Sequence, residues 1–169
     1  MKKIIIPALA ALILISVNSH AQNAPLPKNY SFKTDQDYKD NVGDVTKCMN
    51  WLLKTPVKTD DAERKEVSAY VLMWMTGTND VSVTVFGYVT DLSKKNPDLL
   101  FAWMCGYALN VLNNPKASDA ENNLSGVRAA ISLYQLGGDI KKDKKLEELI
   151  EKDKSGALEA WVKEQMAVK

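Results

Sequence analysis

The sequence contains very little histidine and cysteine and almost no net charge. Of its 169 residues, one is histidine and two are cysteine. Two cysteines are too few for a small domain held together by several disulfides. The formal charge of +1, from 22 basic and 21 acidic residues, provides no net positive field for nucleic-acid phosphates. Because 46% of the residues are hydrophobic, the chain is also unlike a disordered protein. We therefore expect an ordinary globular protein that binds no nucleic acid.

The first 21 residues have the pattern of a cleavable secretory signal. Lys2 and Lys3 precede an apolar run at residues 4–15, which is shorter than the roughly 20 residues of a membrane-spanning helix. Ser19 and Ala21 place small residues at the −3 and −1 positions of a cleavage site. The pattern predicts cleavage after Ala21, a periplasmic or secreted protein of bacterial type, and no stable membrane insertion after cleavage.

Cleavage would remove the only imidazole of the chain. Taking 21 residues from 169 leaves 148, the size of one ordinary domain, and the loss of two lysines changes the formal charge from +1 to −1. His20 is lost as well. A chain without histidine cannot build Ser–His–Asp or Cys–His catalytic systems, and its zinc sites would need both cysteines plus carboxylates. We therefore predict a protein that is not an enzyme and that carries no cofactor or metal.

The remaining sequence divides into an arm and a helical domain. Residues 22–33 predict an extended N-terminal arm, because Pro25 and Pro27 interrupt them and few apolar positions recur. Residues 34–169 repeat apolar side chains at helical spacing. This pattern predicts a single compact all-α domain of about six short helices.

Capping patterns predict where several helices begin. Thr34 is the expected N-cap of the first helix. Asp60 with Glu63 has the spacing of a capping box at the start of the second helix, and Ser118 with Glu121 has the same spacing further along the chain. Each pair offers its side chains to backbone amides that a helix start leaves without partners.

Three other segments have distinct patterns. Residues 81–85 alternate valine with serine and threonine, which predicts an extended connector or the start of a helix. Residues 99–109 are apolar on every helical face and are expected to form the central helix. Gly137 and Gly138 are expected to end a helix before the strongly charged residues 139–154, which predict a surface helix.

Cys48 and Cys105 allow one intramolecular pairing. An oxidising compartment favours a disulfide between them, and such a bond would stabilise the fold by roughly 4 kcal/mol. The alternative is two buried reduced thiols that pack as small hydrophobic groups. A catalytic cysteine would need a general base and an electropositive setting, and neither is apparent near these positions.

Carboxylates and tryptophans are the remaining candidate functional groups. Asp60, Asp61 and Glu63 form a cluster, and paired acids can hydrolyse glycosidic bonds, but acids are also favoured at any helix start. Trp51 lies near a helix end, where it can belong either to the core or to a surface for a partner. Trp103 lies in an apolar run and is expected in the core.

Short blocks of the chain resemble a known set of proteins. Residues 48–56 (CMNWLLKTP), residues 74–78 (WMTGT) and the terminal helix at residues 155–162 are similar to short exported, all-helical bacterial proteins of the Bacteroidetes type. The resemblance implies one helical domain after a signal peptide. It implies no activity, cofactor or partner.

Three functional hypotheses follow. The first is a non-enzymatic binding or interaction protein of the bacterial cell envelope, whose partner would be another envelope protein. The second is an envelope hydrolase that works with carboxylates alone, for which Asp60, Asp61 and Glu63 are the candidates. The third is a carrier of a small apolar ligand held in a cavity near Trp103. The sequence leaves the oligomeric state open.

Overall fold

The described residues, 24–58 and 61–168 of a computed structural model, form eight α-helices and no β-strand. The predicted all-α class is confirmed, whereas the expected count of about six helices is too low. The predicted signal peptide lies outside the described residues. In chain order the helices are α1 (Asp35–Asp40), α2 (Val42–Lys54), α3 (Ala62–Gly77), α4 (Gly87–Ser93), α5 (Asp98–Asn113), α6 (Asp119–Leu136), α7 (Lys144–Lys154) and α8 (Leu158–Ala167).

The first predicted helix is divided into α1 and α2. Thr34 caps α1 as predicted, since its side chain accepts a hydrogen bond from the Asp37 amide. α1 ends at Asn41, whose side-chain amide donates to the carbonyl of Asp37 at 2.8 Å and to that of Ser31 at 3.3 Å. The Tyr70 hydroxyl of α3 donates to the Asn41 side-chain oxygen at 2.8 Å. Contacts from both the arm and α3 therefore fix the break, which helical spacing alone does not reveal.

The N-cap of α3 is Asp61, one residue later than the predicted cap. The Asp61 carboxylate accepts a hydrogen bond from the Arg64 amide at 3.0 Å. Asp60, the predicted cap, lies outside the described residues. Glu63 accepts a hydrogen bond from the backbone amide of Ala24 at 2.9 Å. Glu63 therefore attaches the start of the arm to α3.

The arm lies along the first three helices. Residues 24–33 contain no helix, and Leu26 and Phe32 pack against the apolar core that α2 and α3 share with α5. The Phe32 ring stacks on Tyr38 with ring centroids 5.1 Å apart, and it also contacts Tyr70 at 5.4 Å. These contacts bury part of the arm against the domain.

Helices α5 and α6 cross closely at the centre of the molecule. Gly106 of α5 lies against Ala129 of α6, and Gly126 of α6 lies against the ring and carbonyl of Trp103. Glycine is needed at both positions because a Cβ atom would overlap these neighbours. The predicted central helix at residues 99–109 is thereby confirmed, and most of its side chains are buried.

Opposite faces of α5 belong to two apolar clusters. Leu99 and Trp103 pack with α4, α6, α7 and α8, whereas Cys105 and Ala108 pack with α2 and α3 around Trp74. The central helix thus joins the two halves of the core. Among the described residues, no helix combines the length and the apolar character that a membrane span requires.

Three connecting segments meet beside α5. α6 ends at Gly137, as predicted, with a positive φ of 81°, and the Asp139 amide then donates to the Val57 carbonyl at 2.8 Å. The buried Asn96 side chain donates to the Lys141 carbonyl at 2.9 Å and accepts from the Lys141 amide at 2.8 Å. The α2–α3, α4–α5 and α6–α7 connections are therefore held together at one end of the domain.

Candidate functional site

A cleft of about 580 Å³ opens where these three connections meet. It lies between the first turns of α3 and α5, and Val57, Pro97 and Phe101 supply apolar parts of its lining. We call it the Arg64 cleft after its buried cation. Its lining includes three cations and three anions, namely Lys58, Arg64, Lys65, Asp61, Asp98 and Asp139.

Arg64 is held rigidly in the wall of the cleft. Only 7% of its surface is exposed, and its two terminal guanidinium nitrogens donate to the carbonyls of Leu52 and Thr55, each at 3.1 Å. These carbonyls lie at the C-terminal end of α2, where the helix dipole favours a positive charge. Burial lowers the pKa of Arg64, and the nearby Asp98 carboxylate opposes that shift.

The third nitrogen of the guanidinium group is held less firmly. Arg64 Nε lies 3.8 Å from Asp98 Oδ1, which is an ion-pair distance but too long for a hydrogen bond. The Asp98 side chain is 46% exposed at the start of α5. The cleft therefore contains a fixed cation beside a carboxylate that is open to solvent.

The structure brings one member of the predicted carboxylate cluster into this cleft. Asp61 lines it, and the same carboxylate caps α3 by accepting from the Arg64 amide. Glu63 is exposed and contacts the arm at Ala24 instead. Asp60 lies outside the described residues. Asp98 and Asp139 are the cleft acids that sequence reasoning missed, because each lies far along the chain from Asp61.

A smaller hollow of about 230 Å³ lies between α4, α7 and α8. Tyr88, Leu92, Leu149 and Trp161 form its apolar and aromatic surface. The Tyr88 and Trp161 rings are nearly perpendicular, at 82°, with centroids 5.4 Å apart. We call this site the aromatic hollow. Helical spacing predicts Trp161 as a buried residue of the last helix, whereas the structure leaves it partly exposed. The charged residues on both sides of it in the sequence are a usable signal of that exposure.

Polar side chains also line the aromatic hollow. Two carboxylates, two ammonium groups and one amide line it, from Asp91, Glu148, Lys145, Lys152 and Gln165. Asp91 accepts from Lys94 Nζ at 2.6 Å and lies 3.9 Å from Lys145 Nζ. The Lys94 hydrogen bond lowers the pKa of Asp91, so this carboxylate is ionised at neutral pH.

The disulfide that the sequence favoured is not formed. Cys48 and Cys105 are both free, buried thiols. Their sulfur atoms have different surroundings. Cys48 Sγ donates to the Pro25 carbonyl of the arm at 3.7 Å, whereas Cys105 lies in the middle of α5, where the nearby charge is that of Arg64. Burial raises the pKa of Cys48 to about 11 and that of Cys105 to about 12. Both thiols are therefore protonated at neutral pH and weak as nucleophiles.

The two tryptophans considered in the sequence both lie in the core. Trp51 is 7% exposed and packs in the cluster around Trp74, so it offers little area to a partner. Trp103 is 1% exposed, and its ring directly contacts Gly126. On the side of Trp103 that faces α6, this contact leaves no space for an apolar ligand.

Comparisons with known proteins assign neither site. The sequence matches no protein-family model, no curated protein and no solved structure. Within residues 24–58 and 61–168, no group of three or more histidine, cysteine or acidic side chains is arranged to hold a metal ion. The Arg64 cleft and the aromatic hollow must therefore be interpreted from their own geometry.

Proposed function

We propose that this protein is an exported, non-enzymatic helical binding protein of the bacterial cell envelope, and that it binds a partner protein through the Arg64 cleft. The observation that carries the proposal is the cleft itself. It combines a volume of about 580 Å³ with three cationic and three anionic side chains on an apolar lining. The exposed charges of this lining, Lys58 and Asp98, can pair with a partner segment that carries charges of both signs.

The rigidity of the cleft wall supports a binding role. The hydrogen bonds of the buried Arg64 guanidinium group to the Leu52 and Thr55 carbonyls hold the end of α2 against the start of α3 before any partner arrives. A preorganised wall loses little conformational entropy on binding, so more of the contact energy contributes to affinity. Lys58 and Asp98 are exposed at the same cleft, and exposed charges of this kind mainly set the association rate and the choice of partner.

Other features of the chain support an exported protein that is not an enzyme. The first 21 residues have the signal pattern, and cleavage there removes His20. Both thiols are buried and have raised pKa values. Asp61 is already used as a helix cap. These groups favour binding over acid–base or nucleophilic catalysis.

Site-specific photocrosslinking tests the proposal. A photoreactive amino acid replaces Ser68 in the wall of the cleft, and a matched variant carries it at Ser132, an exposed serine of α6. Both full chains are expressed in the bacterium that encodes them. The Ser68 variant is expected to form a discrete adduct with one envelope protein, which the Ser132 variant does not form.

A charge reversal then tests whether the cleft is responsible. Asp98→Lys removes the partner of Arg64 and changes the balance of the cleft, so the Ser68 adduct should fall at least about tenfold. Binding of the purified partner should weaken to the same extent. The proposal is refuted if position 68 gives no adduct beyond those of position 132, or if the Asp98→Lys substitution leaves the adduct unchanged.

A further inference from the structure

The aromatic hollow has the chemistry of a small-molecule site that is separate from the Arg64 cleft. Trp161 of α8 is partly exposed, and its ring meets Tyr88 of α4 at 82°. Leu92 and Leu149 add aliphatic surface to the lining. Small-molecule sites are typically concave and mainly apolar, with a few polar groups that fix the orientation of the ligand.

The polar groups that line the hollow include both charges in equal number. Asp91 and Glu148 stand against Lys145 and Lys152, and Gln165 adds an amide that both donates and accepts. Lys94 lies outside the lining, where it donates to Asp91. A strongly charged ligand would gain attraction from one pair and meet repulsion from the other. A neutral ligand with several hydroxyl groups could instead use the carboxylates as acceptors and the ammonium groups as donors.

The volume and the aromatic surface of the hollow narrow the choice of ligand further. A volume of about 230 Å³ is smaller than the range of drug-sized pockets and suits one six-membered ring with its substituents. A pyranose ring has one face of C–H bonds that can pack on the negative face of an indole ring. Its hydroxyl groups project from the edge of the ring, towards a polar rim.

From this arrangement we propose that the aromatic hollow binds a single neutral pyranose ring, with Trp161 as the stacking platform and Gln165 and the charged rim as hydroxyl partners. The ring can come from a free monosaccharide or from the terminal unit of a glycan. This inference goes beyond the proposed partner-binding function and does not depend on it, because the hollow shares no lining residue with the Arg64 cleft.

Nuclear magnetic resonance of the tryptophan indole groups gives a direct test. Protein is purified from cells that express the full chain. It is titrated in separate experiments with methyl β-D-glucopyranoside, methyl α-D-mannopyranoside and the methyl glycoside of N-acetyl-D-glucosamine, each up to a glycoside concentration of about 50 mM. The Trp161 indole signal, assigned from the Trp161→Phe variant, should shift to saturation with at least one glycoside. The dissociation constant should be on the order of 1 mM for so small a ligand. The signals of the buried Trp74 and Trp103 should stay in place.

Two variants separate binding from folding, and their affinities are measured on the glycoside signals by saturation-transfer difference, because Trp161→Ala has no Trp161 indole group. Gln165→Ala changes only the rim and should weaken binding several-fold, whereas Trp161→Ala should weaken it more than about tenfold. Leu136→Ala, at an exposed apolar residue outside the hollow, should bind as the unmodified protein does. The dispersion of the remaining indole signals reports whether each variant is folded.

A disaccharide probe distinguishes the two sources of the ring. A disaccharide that binds as tightly as the methyl glycoside indicates the terminal unit of a glycan, and a disaccharide that fails to bind indicates a free monosaccharide. The proposal is overturned if no glycoside gives a saturable shift, or if both Gln165→Ala and Trp161→Ala leave the affinity unchanged. A glucuronide that binds more than about tenfold tighter than the glucoside would overturn the assignment to a neutral ring.

Discussion

Replacing Gly126 by alanine should destabilise the crossing of α5 and α6. A Cβ atom at position 126 would lie 2.7 Å from Trp103 Nε1, 2.8 Å from Trp103 Cδ1 and 2.9 Å from the Trp103 carbonyl oxygen. Two of these atoms belong to a ring that is 1% exposed, and the third belongs to the backbone of α5. Because none of them can turn away into solvent, the two helices must move apart.

The expected loss of stability is the difference between two effects. Alanine is more favourable than glycine in a helix interior by about 1 kcal/mol. Forcing an extra methyl group into a filled core costs about 1–3 kcal/mol and occasionally more. The clash with a backbone carbonyl places Gly126 at or above the upper end of that range, so the net loss is about 2 kcal/mol. For a domain of this size the melting temperature should fall by roughly 4–8 °C.

Urea unfolding measures this change directly. Unfolding is monitored by tryptophan fluorescence and by circular dichroism. The urea concentration at the midpoint should be lower for Gly126→Ala, while the m-value stays the same. Gly43→Ala is the matched control, because Gly43 lies in the first turn of α2 and a Cβ there meets nothing within 4 Å. That variant should be as stable as the unmodified protein, or more stable by up to about 1 kcal/mol. If Gly126→Ala were as stable as the unmodified protein, the reasoning from close packing would be wrong.

Three further predictions concern buried polar groups. Arg64→Met leaves the two carbonyls at the end of α2 without their partner, so it should lower the free energy of unfolding by about 1–3 kcal/mol in urea titrations. The control is Arg128→Met, at a side chain that is 54% exposed, which should change the free energy of unfolding by less than about 1 kcal/mol. Equal losses would contradict the structural role of the buried guanidinium group. Cys48 and Cys105 should not react with a thiol reagent at neutral pH until the protein is unfolded. After alkylation of the unfolded chain, the intact mass should show two labels. Labelling of the native protein, or a mass that corresponds to a disulfide, would count against buried free thiols. Burial raises the pKa of Tyr88 to about 12, so the folded state holds this proton more tightly than the unfolded state, and the free energy of unfolding should fall as the pH rises above about 10. In urea titrations across that pH range Tyr88→Phe should reduce the fall, and an unchanged slope would show that Tyr88 does not contribute.

The helix boundaries show which signals the sequence carries by itself. Thr34, Ser118 and Gly137 act where they were predicted, because each satisfies backbone groups within a few residues of its own position. Asn41 was missed as a break because its side chain bonds to Ser31 of the arm and receives the Tyr70 hydroxyl of α3. A boundary that depends on distant partners leaves no local pattern.

The candidate sites depend even more on distant partners. The lining of the Arg64 cleft joins Asp61, Asp98 and Asp139, which lie in or directly after three connections that are widely spaced in the chain. Sequence reasoning reached Asp61 only as a member of a local acidic cluster. Trp51 and Trp161 are each followed in the sequence by an aliphatic residue, yet Trp51 is only 7% exposed in the core and Trp161 lines an open hollow. Helical periodicity indicates which side of a helix is apolar but not which residues pack against that side.

The sequence by itself determined the all-α class, the central position of residues 99–109 and several caps, because hydrophobic spacing and capping act over one or two helical turns. Only the tertiary structure decided that Cys48 and Cys105 remain separate thiols and that Arg64 is buried at the end of α2. It also decided that α5 and α6 need glycine where they cross. These features depend on the distance between atoms that are far apart in the chain, and that distance is fixed only when the helices pack.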